Sequence, residues 1–364
     1  MIAAKPTPAS ETRSPSTRQS SYIPTLDGWR AIAIVLVIGL HSSPMLSNSH
    51  TRFGDLALKL FRHGAYGVDI FFALSGYLIS TLLLREKEHT GTISLRRFYT
   101  RRAFRILPPV LIYLTVLRLL VELKKLPPIP AIDLMRVLFF ARNYFHGPWY
   151  TKHFWSLAVE EHFYAFAPLL LLLLPWKWAL RIALILIGVC TGIRWFEFAH
   201  QAHFQGATLV FRTENRFDAL LWGGVYALVL RRAEISQWIA EHVSGPVVAI
   251  IGVTAVVSLN VYLADEIRRV VLAALMPPMI TYTVLHPKDL AGRFLELPLM
   301  RWIGRISYSL YIWQMLFLPD TVRPLGRAQS FPLAFAWILL CAVTSYYLAE
   351  KPMIRLGHRL STAP

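Results

Sequence analysis

Residues 26–41 read LDGWRAIAIVLVIGLH, so ten uncharged and mostly apolar residues separate Arg30 from His41. In an α-helix this spacing places the two side chains within about 20° of one face and about 16 Å apart. An imidazole inside a bilayer is costly, and such residues usually face a bundle interior or a water-filled cavity. We therefore predict a membrane helix whose His41 can act as a general base near neutral pH. The alternative is a histidine that only hydrogen-bonds to a neighbouring helix.

The composition of the whole chain agrees with a membrane protein. Of 364 residues, 55% are hydrophobic and 16% are charged, whereas roughly a quarter of residues are charged in soluble proteins. A net charge of +17 is also typical of nucleic-acid-binding proteins, but the basic residues punctuate apolar segments and form no single patch. We predict no nucleic-acid partner. Cys190 and Cys341 lie far apart in apolar segments, which argues against a disulfide framework or a metal site.

Stretches of about twenty mostly apolar residues predict an all-α polytopic bundle of about ten transmembrane helices. They lie near 29–47, 66–84, 106–123, 154–175, 179–195, 216–230, 246–263, 268–285, 302–318 and 331–349. An even number of spans places both termini on one side. The densest run of basic residues, 85–105, then favours cytoplasmic termini and a multi-pass protein of the cell inner (plasma) membrane.

One helical membrane domain, residues 22–355, accounts for most of the chain. Residues 1–21 are rich in Ser, Thr and Pro, which predicts a disordered cytoplasmic tail, and 356–364 are expected to form a second tail. A half-apolar piece at 132–141 is expected to be re-entrant or to lie in the membrane interface.

The second span contains the small residues Ala73, Ser75 and Gly76, which permit close approach of a neighbouring helix. Packing is the interpretation we prefer for them. Asp69 lies near the outer end of this span, and we expect it to face the same cavity as His41.

Five arginines precede the third span in what we predict to be a basic loop. Guanidinium groups clustered in this way can bind a polyanion such as the phosphates of a nucleotide-containing donor. A topogenic charge run beside anionic lipid headgroups is an equally good interpretation. The residues are Arg96, Arg97, Arg101, Arg102 and Arg105, of which the pair at 102 and 105 shares a helix face.

At the start of the fourth span, Ser156 and Glu160 share a face at a spacing of four residues. Glu160 could orient an imidazole or bind a sugar hydroxyl, whereas the alternative is a helix-terminal cap with interfacial anchors such as Tyr164. A local ion pair is the simplest interpretation of Arg216 and Asp218 at the start of the sixth span.

Taken together, an ordered set of motifs resembles the acyltransferase family 3 membrane proteins and covers about 330 residues. The motifs are LDGWR followed by His41, 67–78, Arg102 with Arg105, 156–164, RFDAL at 216–220, GRISYSLY at 304–311 and EKP at 350–352.

The resemblance implies an O-acyltransferase that moves an acyl group, commonly acetyl, from acetyl-CoA or another acyl-CoA to a hydroxyl of a carbohydrate or glycosylated acceptor. It implies the lipid bilayer as surroundings and no metal. Carried over by position, the catalytic candidates are His41, Arg30 and Glu160. The candidates for donor binding are Arg101, Arg102, Arg105 and Arg305. The candidates for substrate binding are Asp27, Asp69, Ser156 and Asp218.

The chain departs from the family pattern at Trp29, Ala31 and His162, and at Gln314, where histidine is frequent. Glutamine cannot titrate, so a proton-handling role at 314 is in doubt. His41 either deprotonates the acceptor hydroxyl or briefly carries the acyl group itself. A proton-coupled transporter is the rival class, since a polar-lined helical bundle also describes such carriers, and an inactive scaffold is the third.

Overall fold

A computed structural model shows a helical protein. It describes residues 22–47, 59, 61–200, 209–243, 245, 247–248, 250–252, 254, 265–319 and 322–362, and no strand occurs in these ranges. The predicted tail 1–21 lies outside them, as does most of the predicted span 246–263. All-helical architecture is thus confirmed for the part of the chain that is described.

The long helices are numbered here along the chain. They are α1 Pro24–His41, α2 Tyr66–Thr90, α3 Leu95–Glu122, α4 Phe154–Leu173, α5 Trp176–Ala199, α6 Phe217–Leu230, α7 Asp265–Leu285, α8 Pro298–Phe317, α9 Leu333–Ser345 and α10 Lys351–Thr362. Helices α1 to α9 follow nine of the ten predicted spans in order, and α10 begins after the last of them. Within the described ranges, six helical segments are long and apolar enough to cross a membrane: α1, α2, α3, Trp149–Leu173, Trp176–Glu197 and Leu333–Thr362. The protein is therefore a multi-pass membrane protein.

Helix α1 begins and ends about five residues before the predicted span. Pro24 stands in its first turn, where the missing N–H removes no hydrogen bond, and the helix stops at His41. His41 therefore lies at the end of the helix, and not inside it as predicted. Ser42 closes the helix with a hydroxyl that donates to the Gly39 carbonyl over 2.8 Å.

The basic segment before the third span is helical, which corrects the prediction of a loop. Helix α3 starts at Leu95, and the Ser94 hydroxyl caps it by accepting a hydrogen bond from the Arg97 N–H at 3.3 Å. Hydropathy marks only the apolar part of a helix, so the charged turns 96–105 were assigned to a loop.

Helices α1 and α8 run parallel in close contact. A Cβ on Gly304 would stand 1.9 Å from the Asp27 carbonyl oxygen, so the absence of a side chain lets the two backbones touch. At the other end of the pair, His41 meets Gln314. Both ends of α1 are thereby tied to the same neighbour.

Helices α2 and α6 also run parallel, and the small residues predicted to pack do so. A Cβ on Gly76 would stand 1.9 Å from the Leu220 carbonyl oxygen, and a Cβ on Gly223 would stand 2.3 Å from that of Ala73. Ser75 behaves differently, since its hydroxyl oxygen lies 3.1 Å from that of Tyr164, with which it forms a hydrogen bond.

Two peripheral segments complete the comparison with the predicted organisation. Residues 356–362, predicted as part of a cytoplasmic tail, continue helix α10, and Gly357 packs on Phe104. The piece predicted at 132–141 contains a short helix, Ala131–Leu138, that exposes Ile132 and Met135.

Candidate active site

A cavity lies between helices α1, α2, α3, α4 and α8. Its polar lining combines three arginines, one glutamate and several hydroxyl groups. The lining residues are Arg30, Val68, Phe71, Ser75, Leu78, Arg102, Arg105, Ile106, Ser156, Leu157, Glu160, Tyr164, Ser307, Tyr308 and Tyr311. Five of the predicted site residues are therefore together: Arg30, Arg102, Arg105, Ser156 and Glu160.

Arg30 enters the cavity from α1, and Asp27 holds it there. Its Nη1 lies 3.2 Å from Asp27 Oδ1, one turn earlier on the same helix. Tyr22 donates to Asp27 Oδ2 over 2.6 Å, and burial together with this hydrogen bond raises the pKa of the Tyr22 phenol. Asp27 is not a lining residue, so its contact with the site passes through Arg30.

Arg102 and Arg105 enter the cavity from α3 because a spacing of three residues places them on one face. The guanidinium carbon of Arg102 lies 4.1 Å from the centre of the Tyr164 ring. The Tyr164 hydroxyl donates to Glu160 Oε2 over 2.8 Å. Glu160 thus bonds a tyrosine here and not an imidazole.

Arg101 and Arg305, predicted with the donor-binding set, point away from the cavity. Arg101 is about 100° around the helix from Arg102, and its Nη2 lies 3.9 Å from Glu86 Oε2. Arg305 is exposed, its Nε donates to the Arg301 carbonyl over 3.3 Å, and it lies about 200° around α8 from Ser307.

Tyr311 and Ser156 contact each other within the lining of the cavity. Their hydroxyl oxygens are 2.5 Å apart, and the Tyr311 hydroxyl also lies 2.8 Å from the His153 carbonyl oxygen, to which it donates. Both side chains line the cavity.

His41 lies beyond this contact. Its Nδ1 is 3.1 Å from Gln314 Oε1, and its ring meets the edge of Trp149 with 6.1 Å between ring centres. Gln314 follows Tyr311 by one helical turn of α8. The partner of His41 therefore lies one turn of α8 beyond the cavity-lining Tyr311, and His41 itself does not line the cavity.

Two buried ion pairs occupy the region where Asp69 and Asp218 were expected to bind substrate. Asp69 Oδ1 lies 3.1 Å from Arg216 Nη2, and Asp218 Oδ1 lies 2.8 Å from Arg194 Nη2. All four side chains are at most 6% exposed, and none lines the cavity. The predicted local pair of Arg216 with Asp218 is wrong, because residues two apart on a helix face different sides. Asp69 was expected to face the same cavity as His41, but neither of them is among the residues that line this cavity.

Comparison with known proteins identifies the family. A profile described as an acyltransferase domain matches residues 23–350. The chain belongs to this acyltransferase family.

Relatives of this acyltransferase chain carry related names. A Staphylococcus aureus (strain COL) protein provisionally named an O-acetyltransferase is 30% identical over 372 residues, which cover 93% of this chain and 58% of the relative. Bacillus subtilis (strain 168) YrhL, provisionally named a peptidoglycan O-acetyltransferase, is 27% identical over 94% of this chain and 56% of its own length. O-acetyltransferase OatA of Staphylococcus aureus (strain NCTC 8325 / PS 47) is 26% identical over 93% and 58%.

The chain thus spans less than two thirds of the length of these curated relatives. No solved structure matches the acyltransferase chain.

Several residues of the site were not singled out from the sequence. Tyr164 was interpreted as an interfacial anchor but is 3% exposed and connects Arg102 to Glu160. Tyr311 was noted only as part of a motif. His153 is 2% exposed, and neither ring nitrogen has a hydrogen-bond partner among the described residues. For Tyr164, the signal in the sequence was its spacing of four residues from Glu160, which places both side chains on one face of the helix.

Proposed function

We propose that the chain is an O-acetyltransferase of the inner (plasma) membrane that moves an acetyl group from acetyl-CoA to a hydroxyl of a carbohydrate or glycosylated acceptor. The observation that carries the proposal is a cavity lined by three arginines, together with a histidine whose partner Gln314 lies one turn of α8 beyond the lining residue Tyr311. The family and the names of the O-acetyltransferase relatives support the reaction class.

The donor would bind through Arg30, Arg102 and Arg105. Three guanidinium groups face one cavity in which Glu160 contributes a single carboxylate, and guanidinium groups donate paired hydrogen bonds to phosphate oxygens. The rest of the lining is partly apolar, as is usual for small-molecule sites. These features suit the phosphates and pantetheine arm of acyl-CoA.

The chemical step would take place beside His41. In the direct route, His41 removes the acceptor's hydroxyl proton, the hydroxyl oxygen attacks the thioester carbonyl carbon, and the carbon–sulfur bond breaks. The proton then passes from the imidazole to the CoA thiolate. In the second route, the imidazole itself takes the acetyl group before the acceptor does, and both routes require His41.

For the acetyl group to reach His41, the contact between Tyr311 and Ser156 must open. His41 does not line the cavity, and its partner Gln314 lies one turn of α8 beyond Tyr311, so this contact would separate the arginines from His41. When no donor is bound, the closed contact would keep water out of the route by which the thioester reaches His41.

We place both termini in the cytoplasm, with about ten spans and the domain at 22–355. The described helices α6, α7 and α8 would then be spans although they fall below the length or hydropathy of the six segments above. The basic first turns of α3 would face the cytoplasm, where acyl-CoA is made, so the arginines would face the donor.

Release of CoA from acetyl-CoA by the purified protein in nanodiscs tests the proposal, with purified peptidoglycan fragments as a first candidate acceptor. The product should be measured by chromatography, because the two cysteines would react with thiol reagents. We expect release by the unmodified protein and none above background by His41→Ala. His162→Ala is the matched control, since that ring bonds Thr213 and does not line the cavity. Equal absence of release from all three proteins would contradict an acetyltransferase and favour the transporter.

A further inference from the structure

We propose that Gln314 is a positioning residue that fixes the tautomer of His41, so that Nε2 is the nitrogen that accepts the hydroxyl proton. The effect of this tautomer on catalysis rests on the proposed function. The structural part of the inference, the tautomer, can be measured without turnover.

The orientation of the Gln314 amide follows from its two contacts. The side chain is fully buried, and Nε2 donates to the Tyr311 carbonyl oxygen over 3.3 Å. A carbonyl oxygen only accepts, so the reversed amide would bring two oxygens together. The amide oxygen Oε1 therefore faces His41 Nδ1, 3.1 Å away.

The tautomer of His41 follows from that orientation. An amide oxygen also only accepts, so the hydrogen of this bond must be carried by His41 Nδ1. A neutral imidazole has one N–H, which leaves the lone pair on Nε2 free to accept a proton. The ring plane is restrained further by Trp149, whose Nε1 donates to the Leu318 carbonyl over 2.8 Å.

Gln314 differs from a carboxylate partner because it orients the ring without adding negative charge. A carboxylate at this place would hold the same tautomer and also stabilise the protonated ring. The titratable groups of the described residues that act on His41 are Lys152, from the short helix Trp149–Lys152, and His153, which precedes α4. Neither can supply negative charge.

A second buried histidine nearby, His153, has no side-chain partner comparable to Gln314 in the part of the chain that the structure describes. His153 is 2% exposed, and neither of its nitrogens has a partner among the described residues. Its surroundings are the rings of Tyr113, Phe154 and Tyr311. Of the two histidines, only His41 has a tautomer fixed by a hydrogen bond.

The kinetic test compares Gln314→Leu and Gln314→Glu with the unmodified protein across pH. Leucine keeps the approximate size but cannot accept from Nδ1, so we expect kcat for CoA release to fall about 10- to 100-fold with KM for acetyl-CoA unchanged. Glutamate keeps an acceptor, so kcat should recover at high pH. Its negative charge should move the acid limb of the pH–rate profile upward by about one pH unit or more.

Gln329→Leu is the matched control, because Gln329 is equally buried but bonds the Leu316 carbonyl and the Leu325 N–H. We expect this variant to leave the pH profile unchanged even if it unfolds more readily. Normal kcat and pH profile in Gln314→Leu would overturn the inference, as would an identical loss of kcat in Gln329→Leu.

Nitrogen NMR of isotope-labelled histidine in nanodiscs reads the tautomer independently of activity. The His41 signals are assigned among the 12 histidines by their loss in His41→Ala. The inference is supported if the unmodified protein carries the hydrogen on Nδ1 and Gln314→Leu loses it or exchanges it between the two nitrogens. A hydrogen on Nε2 in the unmodified protein overturns the inference. Absence of CoA release with the expected NMR result would instead count against the proposed function alone.

Discussion

Replacing Arg102 with alanine should weaken donor binding, whereas the same change at its neighbour Arg101 should not. Arg102 lines the cavity and stacks on Tyr164, while Arg101 lies outside the cavity near Glu86. A hydrogen bond to a charged group contributes about 1.5–3 kcal/mol. Since about 1.4 kcal/mol is a factor of ten, KM for acetyl-CoA should rise about 10- to 150-fold in Arg102→Ala.

The assay is the initial rate of CoA release as a function of acetyl-CoA concentration at constant salt. Arg101→Ala should leave KM within about twofold, because an exposed ion pair contributes little. Arg102→Met tests whether loss of packing on Tyr164 explains the effect, and it should raise KM as alanine does. An equal rise in KM for Arg101→Ala, or none for Arg102→Ala, would refute the placement of the donor phosphates.

Three further changes test other parts of the structure. Tyr311→Phe removes the hydroxyl that contacts Ser156 and the His153 carbonyl. Loss of this hydrogen bonding, worth about 0.5–1.5 kcal/mol, should make the contact easier to open and raise acceptor-independent CoA release about 2- to 13-fold. Tyr308→Phe, which loses a hydrogen bond to the Ile106 carbonyl, should not raise this release. Gly304→Val should lower the thermal unfolding midpoint in nanodiscs, because its Cβ would stand 1.9 Å from the Asp27 carbonyl oxygen and overpacking costs about 1–3 kcal/mol or more. Gly188 has open space around it, so Gly188→Ala should leave the midpoint unchanged. Asp69→Leu and Arg216→Met should each destabilise the protein by about 3–5 kcal/mol and the double variant by much less than the sum of the two, as measured by thermal unfolding; a double-variant cost equal to the sum of the single costs would show that the two charges are not paired.

Hydropathy predicted the order and approximate centres of the described helices but not their ends. Helix α3 begins at Leu95, about ten residues before the predicted span, because its first turns carry arginines and are stabilised by the Ser94 cap. Helix α1 ends at His41 and not near residue 47. Such ends depend on caps and charged turns, which an apolar window does not detect.

Residues of the cavity could be predicted from the sequence where their spacing along a single helix places them on one face. The spacing of Arg102 and Arg105 places both on one face of α3, and Ser156 with Glu160 share a face of α4. The same geometry could have excluded a local pair of Arg216 with Asp218, since residues two apart diverge.

Contacts between helices distant in sequence could not be predicted. Asp69 meets Arg216 only because α2 and α6 pack in parallel. The phase of Arg30 and His41 on α1 predicted one shared face, but of the two only Arg30 lines the cavity, while His41 contacts Gln314 of α8. Gln314, noted as a departure from the family pattern, contacts His41 across 273 positions.

Binding of acetyl-CoA to His41→Ala in nanodiscs, measured beside its turnover, tests the central claim most directly. The claim is that donor binding by the arginines and chemistry at His41 are separate parts of one site. It predicts that His41→Ala binds acetyl-CoA with a Kd close to that of the unmodified protein and releases no CoA above background. Loss of binding in this variant, or normal release of CoA, would contradict the claim.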